Sequence, residues 1–125
     1  MEILLDTNIL LWWLADDPRL SMKCRGLIAA PAHTLVISAA TAWEISIKQA
    51  LGRLVVEGDL ENEVREQGFA LLPITFAHAA EVLKLPPIHR DPFDRMLVAQ
   101  ARVENLQLLT TDPHILRYPA NAIAG

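Results

Sequence analysis

The chain opens Met1-Glu2-Ile3-Leu4-Leu5-Asp6-Thr7-Asn8 and runs straight on into Ile9-Leu10-Leu11-Trp12-Trp13-Leu14. Ile3-Leu4-Leu5 is a short apolar run closed by a carboxylate, Asp6. A helical pattern begins immediately after it. A buried strand that passes directly into a helix is the opening of a parallel α/β unit. In such sheets ligands bind outside the carboxyl ends of the strands, and Asp6 stands where that edge would be. The reading of the whole chain then turns on two questions: whether later segments repeat the unit, and whether they bring further acids to the same edge.

The unit does repeat. The first helix should run to about Ala15, where Asp16-Asp17-Pro18 ends it. Its apolar residues go nearly all the way round, so it needs cover on a second side, from this chain or from another. Ser21 can cap a helix over residues 22–30. Leu35-Val36-Ile37 reads as a second buried strand. Ser38 then caps a helix over residues 39–51, which Gly52 terminates. On this helix Ala40, Trp43, Ile47, Ala50 and Leu51 share one side, the expected core face, with Glu44 at its border. Residues 59–67 form an acidic, solvated helix closed by Gly68. Phe69-Ala70-Leu71-Leu72 is a third strand, stopped by Pro73, and Thr75 caps a helix over residues 76–84.

Residues 86–92 are a short rigid connection. Asp91-Pro92 supplies an N-cap acid and a first-turn proline, and the helix they start should run to about Asn105. It turns Phe93, Met96, Leu97, Gln100 and Ala101 toward the core, with Asp94 at the edge of that stripe. Leu106-Gln107-Leu108-Leu109-Thr110 is a fourth strand ending in Thr111-Asp112. A short helix near residues 113–116 and a fifth edge strand over residues 122–124 complete an α/β chain.

Hydrophobic residues make up 52% of the 125 residues, enough for a substantial core, and a single domain over residues 1–125 is expected. No apolar run approaches the roughly 18 residues of a membrane span. No basic region precedes the first apolar stretch, so a signal peptide is not expected. Cys24 is the single cysteine, which excludes an intrachain disulfide and fits a cytoplasmic protein. The net charge of −4 weighs against a broadly basic nucleic-acid binder. The acids are unevenly placed, however: Glu57, Asp59, Glu61, Glu63 and Glu66 crowd one segment. Lys48, Arg53, Arg90, Arg95, Arg102 and Arg117 stay available for a local basic rim.

Asp6 and Asp112 end the first and fourth strands. The helix carrying Asp94 runs into strand four, so its first turn lies at the carboxyl edge. Glu44 sits little more than a turn into the helix that leaves strand two from that edge. Four acids from four segments therefore converge on one rim. Converging carboxylates repel one another unless a cation lies between them. Hard divalent ions such as Mg²⁺ take oxygen ligands and keep several waters, and such a site can activate a water and stabilise a phosphoryl transition state.

Each acid alone has an ordinary explanation. Asp6 could cap the first helix, and Glu44 could pair with Lys48 one turn on. Asp94 would be favoured in a first turn by the helix dipole, and Asp112 could be a turn residue before Pro113. Their joint placement argues for a site. Asp91 reads as the N-cap before it reads as a ligand. Thr7, Asn8, Thr110 and Thr111 border the cluster, where they could position a water or phosphate or act as simple caps. His33, His78, His89 and His114 lack helical pairing, so a zinc site is not expected. Ser38, Ser46 and Cys24 have no evident base. Trp12, Trp13 and Trp43 are expected to be core or interface anchors.

Leu4-Leu5-Asp6-Thr7-Asn8-Ile9-Leu10, then Ser38 to Gly52 with Trp43-Glu44-Ile45, then His89-Arg90-Asp91-Pro92-Phe93-Asp94-Arg95 and Leu106 to Asp112 form an ordered set. Together they resemble the motifs of PIN-domain proteins, in particular the VapC-type toxins of bacterial toxin–antitoxin pairs. The resemblance implies a three-layer α/β/α sandwich with a parallel sheet of four or five strands. It implies a Mg²⁺- or Mn²⁺-dependent endoribonuclease in which a metal-activated water attacks an RNA phosphodiester in line. It also implies a frequent homodimer held inactive by a cognate antitoxin protein. By position Asp6, Glu44 and Asp94 match the three best-defined acids and Asp112 the more variable fourth. Asp6 and Asp94 would be the principal ligands; Glu44 and Asp112 would bind directly or through water.

A haloacid-dehalogenase-like phosphatase would want a second aspartate where Asn8 stands. A receiver module would want acids at Leu4-Leu5 and a late lysine that Thr110-Thr111 does not supply. A non-catalytic PIN fold acting as an interaction module is the remaining alternative, and such a module has no use for four mutually repelling acids. The all-round apolar character of the first helix further predicts that it is covered, with residues 22–30, by a twin subunit or an antitoxin segment.

Overall fold

The computed structural model describes residues 1–125. Five strands, β1 (Glu2–Leu5), β2 (Thr34–Ser38), β3 (Ala70–Leu72), β4 (Gln107–Thr110) and β5 (Ala122–Ala124), form one sheet in the order β3-β2-β1-β4-β5. Every neighbouring pair is parallel. The helices are α1 (Thr7–Leu14), α2 (Met22–Ala29), α3 (Ala39–Ala50), α4 (Leu60–Glu66), α5 (Phe76–Leu83) and α6 (Pro92–Glu104), with a 3₁₀ turn at Ile115–Arg117. The chain builds outward from β1 through β2 to β3, then crosses back to add β4 and β5 on the other side of β1. Strand order therefore reverses between β1 and β4, and the crevice at their carboxyl ends is where such sheets bind ligands.

Alternation along the strands makes the three layers. Ile3, Leu5, Leu35, Ile37 and Leu109 face a core shared with Ile9, Leu10, Cys24, Ile28 and Val64. Leu4, Val36 and Leu108 face the opposite core with Leu97, Val98, Ala101, Ile115 and Tyr118. Successive strand residues point to opposite sides, so a sheet covered on both faces reads as an unbroken apolar run. Each fully buried aliphatic side chain here stabilises the fold by roughly 1.5–3 kcal/mol.

The expected caps form. Ser21 accepts from the Cys24 amide, Ser38 from Ala40, and Thr75 and His78 make a reciprocal capping box. Asp91 accepts from the Phe93 and Asp94 amides at 2.8 and 3.1 Å, so it is the N-cap of α6. Asn105, in the left-handed conformation at φ 55°, ends that helix.

On α1, Leu11, Trp12, Trp13 and Leu14 stay half-buried, packed on the core that Leu54, Val56 and Leu60 also join. Two side-chain readings need correction. The inward face of α3 is Ala40, Thr41, Glu44 and Ile45, while Trp43 and Leu51 are exposed. Apolar periodicity set the phase of α3 wrongly because the helix turns a polar pair, Thr41 and Glu44, toward the carboxyl edge. On α6 likewise Leu97–Ala101 are buried, but Phe93 and Met96 are only partly so. No helix is long and apolar enough to cross a membrane.

Candidate active site

Asp6 follows the last residue of β1, and its amide donates to the Leu109 carbonyl of β4 at 3.0 Å. That bond fixes the acid in the crevice between the two strands. Asp6 is only 5% exposed, and its side chain makes no capping hydrogen bond to α1. Its Oδ2 instead accepts the Thr110 hydroxyl at 2.7 Å. Thr110 Oγ1 in turn accepts the Asp112 amide at 2.9 Å, so one hydroxyl ties two of the acids to the end of β4.

Glu44, also 5% exposed, enters from α3. Its Oε1 accepts the Thr7 hydroxyl at 2.8 Å and its Oε2 accepts Lys48 Nζ at 2.8 Å. Because Thr7 spends its single proton on Glu44, the 3.1 Å contact between Thr7 and Thr41 hydroxyls is donated by Thr41. The Glu44–Lys48 pair expected on the helix surface is thus real, but its carboxylate end is buried.

Asp94 and Asp112 meet across His89. His89 Nε2 lies 2.9 Å from Asp94 Oδ2 and 3.1 Å from Asp112 Oδ2. The Asp91 amide donates to His89 Nδ1 at 3.2 Å, which makes Nδ1 an acceptor and leaves the ring proton on Nε2, facing both carboxylates. The ring is held by its own backbone: the His89 amide donates to the Tyr118 hydroxyl at 2.7 Å. That hydroxyl also receives Arg95 Nη1, whose guanidinium further binds the Val82 and Pro86 carbonyls. Asp112 Oδ1 accepts the His114 amide at 2.8 Å.

Electrostatics report the same convergence. Burial pushes the Asp94 carboxyl up to about 7, and the charges of Asp6, Asp91 and Glu44 push the same way against His89. Burial also raises Asp6; the Thr110 hydroxyl and Thr7 amide oppose it, while Asp112 and Glu44 add to it. Asp112 goes the other way. Burial would raise it, but the His114 amide and the His89 ring together hold it below the usual carboxylate range. The rim thus holds more negative charge than its own donors neutralise. Its ligand atoms are hard carboxylate oxygens, the donor set that suits Mg²⁺ or Mn²⁺. The set of donor atoms within 4.8 Å of one another is that of His89, Asp112 and His114 rather than that of the four acids, and His89 presents an N–H there rather than a lone pair.

Asp94 and Asp112 share the His89 nitrogen, Thr110 links Asp6 to the Asp112 amide, and Glu44 lies near enough for its charge to raise both Asp6 and Asp94. Thr7 and Thr110 reach carboxylates. Asn8 is exposed and lines a groove between α1 and residues 54–57, and Thr111 is exposed with its methyl group toward Gly125. Neither side chain hydrogen-bonds to the acids. Sequence reasoning missed His89 and Thr41. His89 was legible only through its place, in the connection that leads into the Asp91 cap at the carboxyl edge.

The fold is that of a parallel α/β domain, and the chain belongs to the PIN-domain family, whose model matches residues 3–121. Solved structures with the same fold include VapBC2 from Rickettsia felis bound to a DNA fragment of its promoter. That match has a TM-score of 0.68 and 17% identity over 100% of this chain and 98% of that one. A toxin–antitoxin complex from Klebsiella pneumoniae matches with TM-score 0.67 and 18% identity, over 98% and 96% of the two chains. VapBC-1 from nontypeable Haemophilus influenzae gives 0.60 and 21%, over 94% and 91%. No curated protein sequence matches the chain.

Proposed function

We propose that residues 1–125 are a single nuclease domain, an endoribonuclease of the VapC type that acts as the toxin of a toxin–antitoxin pair and requires Mg²⁺ or Mn²⁺. The observation that carries the reading is the rim of Asp6, Glu44, Asp94 and Asp112, with Asp6 and Asp94 both raised by burial and by acidic neighbours. A fold that holds unneutralised carboxylates together gives up stability that a bound cation restores.

Asp6 and Asp94 would hold the ion directly, with Glu44 and Asp112 completing its shell or orienting its waters. The bound ion would supply Lewis acidity, activating a water and offsetting the charge of the phosphodiester. The chain's own groups do the rest. Thr110 fixes the Asp6 carboxylate, Thr7 and Lys48 fix Glu44, and His89 Nε2–H keeps Asp94 and Asp112 from springing apart. Lys48 also places a positive charge at the rim, where an RNA phosphate would approach. The family likeness supports a cytoplasmic protein, a homodimer and a cognate antitoxin as partner. The groove of about 570 Å³ between α1 and residues 54–57, lined by Leu11, Trp12 and Val55, is the proposed seat for an antitoxin segment.

The test is cleavage of single-stranded RNA by purified, antitoxin-free protein with Mg²⁺ or with EDTA, beside a phosphomonoester control. Cleavage that EDTA abolishes, with no phosphatase activity, is expected. Phosphatase activity alone, or RNA cleavage indifferent to EDTA, would overturn the reading.

A further inference from the structure

The His89 imidazole is held from three directions. The Asp91 amide donates to its Nδ1 at 3.2 Å. The His89 amide donates to the Tyr118 hydroxyl at 2.7 Å. The His114 ring lies beside it, with centroids 5.1 Å apart. These contacts fix the direction of Nε2–H, which donates to Asp112 Oδ2 at 3.1 Å and stands 2.9 Å from Asp94 Oδ2. The ring is a bridge between the acid that follows β4 and the first-turn acid of α6.

The two acids on the bridge are engaged differently. Asp112 is anchored at both oxygens: Oδ2 accepts from His89, and Oδ1 accepts the His114 amide at 2.8 Å, with the His114 ring nitrogen 3.3 Å away. Asp94 meets the bridge through Oδ2 alone. A carboxylate anchored at both oxygens holds its neighbours still. One anchored at a single oxygen is oriented and keeps the other oxygen for a cation. We propose that His89 is a positioning residue of the cation site and that Asp112 acts on the ion through it. Asp112 holds the imidazole, and the imidazole holds the Asp94 carboxylate. His89 is not itself a ligand, because a cation needs a ring lone pair and the one on Nδ1 faces the Asp91 amide. Outer hydrogen-bond partners of this kind orient ligands and change metal affinity by about 10- to 100-fold. The assignment rests on the divalent-cation reading above and gives His89 and Asp112 one joint role within it.

The test is Mn²⁺ titration read by electron paramagnetic resonance at pH 8, on wild type, His89→Ala, His89→Gln, Asp112→Ala and the double variant His89→Ala/Asp112→Ala, with a melting curve of each. His89→Ala should weaken Mn²⁺ binding by about 10- to 100-fold. His89→Gln, whose amide N–H can reach the place of Nε2–H, should recover most of that loss. The double variant should bind within about threefold of His89→Ala alone, since residues that act as one unit are not additive. The bound Mn²⁺ should show no hyperfine coupling to a ligating imidazole nitrogen. Proton–nitrogen correlation NMR of the wild type should place the His89 ring proton on Nε2, a readout that holds even if His89→Ala does not fold. Binding by His89→Ala within about twofold of wild type overturns the proposal. So does a further loss of about tenfold or more in the double variant, which would make Asp112 a ligand in its own right. A directly bound imidazole nitrogen, or a ring proton on Nδ1, overturns it as well. In all of these the wild type still binds Mn²⁺ and the cation reading stands. A wild type that binds no Mn²⁺ removes that reading and the positioning role together.

Discussion

Replacing Asp94 by Asn isolates the cost of gathering the acids. The folded state lifts this carboxyl from 3.8 to about 7, chiefly by burial and then by the charges of Asp6, Asp91 and Glu44. A gap of about three units corresponds to ~4 kcal/mol at 1.36 kcal/mol per unit. The rim is partly open to water, which screens the charges, so about 1–2 kcal/mol is the figure to expect. The sign follows from the direction. A raised folded value means the fold favours protonated Asp94, a contribution fully present below about pH 4 and lost as pH climbs to about 7. Asn stays neutral throughout and its amide oxygen can still accept from His89. Metal-free Asp94→Asn should therefore match wild type near pH 4 and exceed it by about 1–2 kcal/mol at pH 8. For a chain of this size that is a Tm higher by roughly 3–10 °C. The assay is a series of melting curves at pH 4, 6 and 8 in EDTA, repeated in excess Mg²⁺, where the variant should gain less than wild type. A variant that melts lower than wild type at pH 8 in EDTA and gains as much from Mg²⁺ would refute the reasoning and leave Asp94 as a first-turn helix residue.

His89→Ala removes the donor shared by Asp94 and Asp112, and should destabilise the metal-free protein at pH 8 by about 1.5–3 kcal/mol, the usual worth of hydrogen bonds to charged groups; urea titration reads it. Thr110→Val deprives Asp6 of its hydroxyl donor and the Asp112 amide of its acceptor. It should cost about 1–3 kcal/mol and cut RNA cleavage at least tenfold, measured by steady-state kinetics beside a melting curve. Asp112 has a lowered folded value, so its contribution is present above the unfolded carboxylate range and fades as pH falls through the folded value. Asp112→Asn should therefore destabilise at pH 7 by less than about 1 kcal/mol at this solvent-screened position, and the difference should shrink in parallel melts as pH falls below the usual carboxylate range.

The strands and caps were legible because their signals are local. Leu4-Leu5-Asp6 and Leu108-Leu109-Thr110 announce buried strands, and Ser21, Ser38, Thr75 and Asp91 cap helices by reaching amides two or three residues on. The four acids were legible because chain direction alone sends two strand ends and two helix starts to one edge. The orientation of α3 was not legible. Periodicity assumes that the apolar side faces inward, and here Thr41 and Glu44 face inward while Trp43 faces out. His89 was not legible either. Its contacts to Asp94 and Asp112 join residues 5 and 23 positions away, and the tautomer that makes it a donor depends on the Asp91 amide. The second cover of α1 was expected from this chain or another; that Leu54 and Val56 form a groove with Leu11 and Trp12 depends on how the α3–α4 connection folds back, which no local pattern encodes.

The central claim is that the four carboxylates form one divalent-cation site. Electron paramagnetic resonance of Mn²⁺ titrated into wild type and Asp6→Asn measures this directly, without relying on any substrate. Saturable loss of the free Mn²⁺ signal in the wild type is the predicted result, with binding weakened at least 100-fold in Asp6→Asn while its melting curve in EDTA stays cooperative. No binding by the wild type, or equal binding by a folded Asp6→Asn, would contradict the account.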